Sequence, residues 1–203
     1  MNLQKLFQIQ KQLDERIVKE HGLEGQDLLD KKILALQVEL GELANEWRGF
    51  KFWSKDKEPR NKDVKCHSCK GRGFFDFFRT YTNEHFTEDC GYCEGTGIQE
   101  RNPLLEEYVD CLHFILSIGL ELQIPDEWDI ENVSSIININ NGVLGNFNSI
   151  FQNVCSDMDI HEWFEAMENF LGMGQTLGFT EEQIEQAYLD KNKINHERQA
   201  NNY

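Results

Sequence analysis

A chain of 203 residues can bury one sizeable core and accommodate at most a small inserted module beside it. Lys and Arg number 20 against 36 Asp and Glu, a net charge of −16, which argues against a protein that wraps a nucleic-acid backbone or lies on an anionic membrane. Affinity for an anionic ligand must then come from bound cations or from a local cluster of basic side chains.

The most apolar run, residues 113–122, is interrupted by His113 and Glu121 and is too short to span a bilayer. The first residues, MNLQKLFQIQKQLDERI, lack the basic-then-apolar pattern of a secretory signal. The expected location is therefore the cytoplasm.

Leu3, Leu6, Ile9, Leu13 and Ile17 recur every three or four residues, the stripe of an amphipathic helix over residues 3–20 that Gly22 and Gly25 end. Ile33, Leu36, Leu40 and Leu43 predict a second helix over residues 28–48. From residue 55 to 101 the helical period is lost, glycines and charges accumulate, and FFDFFRTY offers short strands. This stretch reads as an insertion. The period returns at Pro103, a good first-turn residue, and runs to about residue 123 with apolar side chains around most of its circumference, which predicts a central helix. Residues 125–132 read as a connection. Residues 133–155, 161–177 and 180–199 read as further helices, the last opened by the capping box Thr180-Glu-Glu-Gln183. The sum is an all-α helical bundle comprising residues 1–56 and 102–203, with a small module at 57–101.

Glu39 and Glu42 stand three apart on the second helix, with Glu46 on the same face. On their own they could be a solvated acidic face. The central helix carries a second pair, Glu107 and Asp110, and Asp110 is flanked by Val109, Cys111 and Leu112, where a surface role is harder to defend. Two carboxylates three apart on each of two facing helices make an oxygen-ligand cage for a hard cation such as Mg²⁺. Lys191, Asn195 and Arg198 share one face of the last helix at spacings of four and three. They form a basic cluster in an acidic protein, and a frayed basic helix end is the alternative.

Glu39-Leu-Gly-Glu42 and Glu107-Tyr-Val-Asp110 resemble the ExxE…ExxD signature of the all-α NTP pyrophosphatase superfamily, which includes the MazG-like enzymes. The segments ELANEWRGFKFWSK, EEYVDCLHFILSIGLEL and the terminal YLDKNKINHERQ are similar to its dimeric dUTPase branch, as found in Gram-positive bacteria and their phages. The resemblance implies hydrolysis of dUTP to dUMP and pyrophosphate by a homodimer. It assigns Mg²⁺ to Glu39, Glu42, Glu107 and Asp110, with Glu42 and Glu39 catalytic and Glu42 the water-activating base. It places Lys191, Asn195 and Arg198 on phosphate and sugar, and Gln10 and Trp53 at the base, with Gln10-x-x-Leu13-Asp14 standing where the family has Gln-x-x-Leu-Asn. The family's Gly-Tyr-Lys segment after Arg-Gln has no counterpart following Gln199, where Tyr203 is the nearest substitute.

Cys66-His-Ser-Cys69-Lys-Gly-Arg-Gly73 and Cys90-Gly-Tyr-Cys93-Glu-Gly-Thr-Gly97 are two copies of CxxCxGxG. Paired thiolates at this spacing fit a closed, structural Cys₄ zinc site, and the motif is similar to the cysteine-rich repeats of DnaJ-type chaperones. Two readings compete with the dUTP diphosphatase: the same chemistry on dCTP or a modified nucleotide, and a non-catalytic zinc-ribbon protein that binds a partner through residues 57–101.

Overall fold

The computed structural model describes every residue except 63, 132, 139, 156, 202 and 203. The fold is all-α. Helices α1 (Leu3–Glu20) and α2 (Leu29–Trp47) precede four short strands, β1 (Val64–Lys65), β2 (Phe74–Arg79), β3 (Glu84–Asp89) and β4 (Ile98–Gln99). Then follow α3 (Pro103–Glu121), α4 (Ile124–Glu127), α5 (Gly142–Asn153), α6 (Ile160–Thr176) and α7 (Glu181–Ala200).

Local chemistry sets the helix ends. The Asn2 side chain accepts from the Lys5 N–H, and Asn102 accepts from Leu105 at the start of α3, where Pro103 has no N–H to satisfy. The capping box foreseen at Thr180 and Gln183 is present, and a second, Asp159 with Glu162, opens α6. Arg48 closes α2 in the left-handed region at φ 64°.

Helix α3 is the axis of the fold. Leu104, Tyr108, Leu112, Ile115, Leu116 and Ile118 are all fully buried, as its all-round apolar sequence predicts. Helix α2 packs along it, α1 and α7 close another side, and α6 contacts it through Trp163, whose indole N–H donates to the Ile115 carbonyl at 2.8 Å. Tyr108 stacks on Phe170 with ring centres 4.1 Å apart and donates its hydroxyl to the Phe170 carbonyl. Burying rings of this size contributes about 1.5–3 kcal/mol each. Among the described residues no helix is long and apolar enough to cross a membrane.

Two expectations are corrected. The stretch 133–155 is not one helix: among its described residues only Gly142–Asn153 is helical, and residues 133–138 form no helix but lie against α6, where the Ile136 N–H donates to the Glu168 carbonyl. Asparagine side chains explain the break, since the Asn146 amide bonds the Asn169 and Ile136 carbonyls and its oxygen accepts from the Asn138 N–H. The connection at 125–132 begins with the short helix α4.

The module after α2 contains two antiparallel ladders, β1 with β4 and β2 with β3, the latter in register from Phe74–Asp89 to Arg79–Glu84. The chain enters it past Arg60, whose N–H donates to the Glu46 carbonyl and whose carbonyl accepts from the Leu104 N–H, tying both module ends to α2 and α3.

Candidate active site

Pairing of α2 with α3 sets the four carboxylates opposite one another. Oxygens of Glu39, Glu42 and Glu107 lie within 4.8 Å of each other. The fourth carboxylate, Asp110, is engaged by α7: Lys191 Nζ donates to Asp110 Oδ2 at 2.5 Å.

Burial, followed by repulsion from Asp110, Glu42 and Glu39, pushes Glu107 up to about 7. Burial and the nearby Asp110 and Glu42 also raise Glu39. Asp110 is raised by burial even with the Lys191 ammonium bonded to it. Half-buried acids that remain displaced toward their neutral forms beside a lysine are a cluster short of positive charge.

A cleft of about 430 Å³ runs from Glu39, Asp110 and Lys191 to an apolar end at Leu13, Ile17 and Leu28. Asn195 and Arg198 line it, as their spacing on α7 requires. Gln10 and Asp14 form part of its wall from α1. A larger groove of about 970 Å³ lies between the start of α1 and the start of α7 and contains none of these carboxylates.

Trp53 is not among the cleft's lining residues; it is 65% exposed and stands edge-on to Phe50 and Phe52. Tyr203 lies outside the described residues.

Around Gln10 and Asp14 the structure adds Lys32, His113, Ser117 and Tyr188, which sequence reading did not single out. Asp14 accepts from Lys32 at 3.1 Å, from the Ser117 hydroxyl at 2.5 Å and from the Gln10 amide at 2.7 Å. His113 and Tyr188 both bond the Gln10 carbonyl oxygen. Their positions were open to inspection, since His113 and Ser117 follow Asp110 by three and seven residues on one helical face, and Tyr188 precedes Lys191 by three. Burial holds the His113 imidazole down to about 3, so it is neutral near neutral pH.

In the module, Cys66, Cys69, Cys90 and Cys93 converge as free, buried thiols. Sulfur separations are 3.9 Å for Cys66–Cys90 and 3.8 Å for Cys69–Cys93. The two knuckles are copies in structure as well as sequence: Gly73 N–H donates to Cys69 Sγ and Gly97 N–H to Cys93 Sγ, each at 3.2 Å. Each knuckle also caps the other, Cys66 N–H on the Gly97 carbonyl and Cys90 N–H on that of Gly73. Gly73 and Gly97 have φ of 81° and 75°, and a Cβ on either would strike the backbone of the opposite knuckle. Burial pushes the Cys69 thiol up, but bonds from Gly73, Cys66, Gly71 and Cys93 outweigh it and bring Cys69 down to about 6, whereas Cys93 rises to about 11.

An all-α bundle carrying acidic pairs on adjacent helices above a basic cleft points to the class of nucleotide pyrophosphohydrolases. The sequence model of the dUTPase family matches residues 2–69 and 94–203, and the chain belongs to that family. The match passes over residues 70–93, which hold the β2–β3 hairpin together with Cys90 and Cys93. No curated protein and no solved structure matches the chain.

Proposed function

We propose that this protein hydrolyses dUTP to dUMP and pyrophosphate with Mg²⁺ held by Glu39, Glu42, Glu107 and Asp110. The carrying observation is the convergence of the Glu39, Glu42 and Glu107 oxygens within 4.8 Å, beside a cleft that Glu39 lines together with Lys191 and Arg198. The residues fit the metal: the donor set is all oxygen, as a hard cation requires, and Glu39, Glu107 and Asp110 all sit above their ordinary pKa. Bound Mg²⁺ supplies the positive charge that offsets the polyphosphate and favours the leaving pyrophosphate.

The chain's own residues do the rest. Glu42 is the carboxylate of the α2 pair open to solvent, so an attacking water reaches it, and it takes that water's proton. Lys191 exchanges Asp110 for a phosphate oxygen, while Asn195 and Arg198, one and two turns further along α7, bind phosphate and sugar. Gln10 faces the base, with Leu13, Ile17 and Leu28 as apolar walls. Trp53 reaches the base only if the segment carrying the exposed Phe52 and Trp53 folds over the cleft.

The Cys₄ cluster holds a structural Zn²⁺. Four sulfurs about 2.3 Å from a central zinc stand about 3.8 Å apart, which is the separation of both cysteine pairs here. All four positions are then filled by protein, so the module at 57–101 acts as a rigid appendage at the junction of α2 and α3. Free thiols suit the cytoplasm. Leu34 and Val38, 61% and 52% exposed one turn apart on α2 beside the carboxylate face, suit burial in a homodimer.

Pyrophosphate release from each common deoxynucleoside and nucleoside triphosphate with Mg²⁺, for wild type and Glu42→Gln, tests this reading. Preference for dUTP that disappears in the variant is expected. No release from any nucleotide would remove the enzymatic reading and favour a binding role for the zinc module.

A further inference from the structure

The Gln10 amide sits at the centre of a buried polar network whose direction is fixed from both sides. Asp14 already accepts from the Lys32 ammonium and the Ser117 hydroxyl, which marks it as a carboxylate with no proton to give. The end of Gln10 that faces it must therefore be the nitrogen, and Nε2 donates to Asp14 Oδ1 at 2.7 Å. On the other side, Gln10 Oε1 takes the Tyr188 hydroxyl at 2.8 Å and His113 Nδ1 at 2.7 Å. A carbonyl has two lone pairs, and both are filled; His113 accordingly carries its proton on Nδ1. Turning the amide over would set its oxygen against a carboxylate and its NH₂ against two donors, leaving several buried groups unpaired.

Besides Gln10, the His113 ring lies near the Tyr188 backbone carbonyl, which favours its charged form. Its Nε2 is buried without a partner among the described residues, and the ring lies on Tyr188 with centres 4.1 Å apart and an interplanar angle of 18°. The imidazole and the phenol thus form a stacked pair whose polar atoms converge on one oxygen. What remains uncommitted on Gln10 is the second amide hydrogen, in a residue that lines the cleft leading to the carboxylates.

We infer that His113 and Tyr188 are positioning residues that lock the Gln10 amide with an N–H toward the cleft, so that the site selects a pyrimidine with a carbonyl oxygen at ring position 4 over one with an amino group there. This rests on the pyrophosphohydrolase reading of the same cleft and specifies its base. Uracil presents an acceptor at that position, as thymine does, and cytosine a donor. A donor meeting a donor in a desolvated pocket leaves both unpaired, and sites built on such hydrogen bonds discriminate strongly. An amide free to flip would serve either base; the two donors on its oxygen remove that freedom.

The test measures kcat and KM for dUTP and dCTP with Mg²⁺ in wild type, Tyr188→Phe, His113→Phe, the double variant and His113→Asn. Phenylalanine keeps the stack and removes one donor, whereas asparagine returns an N–H near the position of Nδ1. Each Phe variant is expected to raise KM for dUTP roughly 10-fold with kcat nearly unchanged, and to lower the dUTP-to-dCTP ratio of kcat/KM by a similar factor. The double variant loses most of the preference and His113→Asn regains it. Equal losses on both nucleotides with the ratio intact would show a merely structural role and overturn the inference. Wild type that hydrolyses both equally would overturn it while leaving the pyrophosphohydrolase standing. If no nucleotide is hydrolysed, that broader reading fails, and calorimetric binding of dUMP against dCMP decides the amide lock: preference for dUMP lost in Tyr188→Phe upholds it, and equal binding overturns it.

Discussion

Lys191 on α7 and Asp110 on α3 are joined by a 2.5 Å ion pair at the point where the acidic cluster meets the basic face of the cleft. The lysine stands in for part of the positive charge the carboxylates lack, so a cation entering the cluster competes with it. Lys191→Met should bind Mg²⁺ more tightly in the absence of nucleotide, by roughly fivefold if about 1 kcal/mol of repulsion is removed. Hydrolysis should fall at the same time, because the phosphate contact is lost. Calorimetric Mg²⁺ titration beside steady-state kinetics checks both; weaker metal binding in the variant would show that Lys191 does not compete for Asp110.

Glu42 is exposed, and its side chain makes no hydrogen bond to another described residue, so Glu42→Gln should keep the helical circular dichroism and melting temperature of the wild type. Its kcat should nonetheless drop on the order of 10²–10⁴-fold, the range for removing a general base. A variant with more than a tenth of wild-type kcat would take the proton-accepting role away from Glu42.

The raised carboxylates make stability depend on pH with a definite sign. Glu107 sits at about 7 in the folded protein against an ordinary 4.5, so the folded state binds its proton more tightly than the unfolded state does. Its charging therefore costs nothing below about 4.5, costs progressively more as pH rises toward 7, and costs its full amount above that. Glu39 and Asp110 act in the same direction. Metal-free protein should lose thermal stability between pH 5 and 8, and the rise in melting temperature on adding Mg²⁺ should be larger at pH 8 than at pH 6. Melting curves at a series of pH values, with and without Mg²⁺, read this directly; a Mg²⁺ effect independent of pH would contradict it.

Purified protein should carry one equivalent of zinc per chain by elemental analysis. Cys69→Ser should abolish it, since three thiolates and a serine hold zinc far less tightly. The four cysteines form their own small cluster, apart from the helical core, with Phe75 packed against them. Loss of zinc should therefore melt the β2–β3 hairpin while α1–α7 keep most of their helical signal. Proton NMR of the hairpin amides separates this from global unfolding, which would show that the module and the bundle fold as one unit.

Gly172 on α6 lies directly beneath residues 136 and 137, and a methyl group there would overlap the Ile136 carbonyl. Gly172→Ala should cost about 1–3 kcal/mol through overpacking, despite the better helix propensity of alanine. Chemical denaturation measures it; a stabilised variant would mean that the 133–138 segment shifts freely on α6.

Much of the fold was legible because its long helices announce themselves by period. The stripes at Leu3–Ile17 and Ile33–Leu43, the all-round apolar α3 and the Thr180 box all recur in the structure. Residues 133–141 misled because asparagine and isoleucine have usable helix propensity, while the asparagine side chains bond backbone groups that a helix would need. The carboxylate pairs and the CxxCxGxG knuckles were legible for the same reason as the helices: their ligands are close in sequence, and short spacing fixes a shared face or turn. The cross-knuckle capping was not, because it joins residues of different motifs, Cys66 with Gly97 and Cys90 with Gly73.

The sequence by itself determined the long helices α1, α2, α3, α6 and α7, the four carboxylates, the four thiols and the Lys191–Arg198 face, all of which follow from spacings within one turn or one helix. Tertiary structure alone decided that Lys191 reaches Asp110, 81 residues away, and that Gln10 meets His113 and Tyr188 across separations of 103 and 178. Such pairs carry no local period. They exist only because α1, α3 and α7 pack together, and that packing is set by the burial of apolar surface, which is indifferent to the polar contacts it brings into reach.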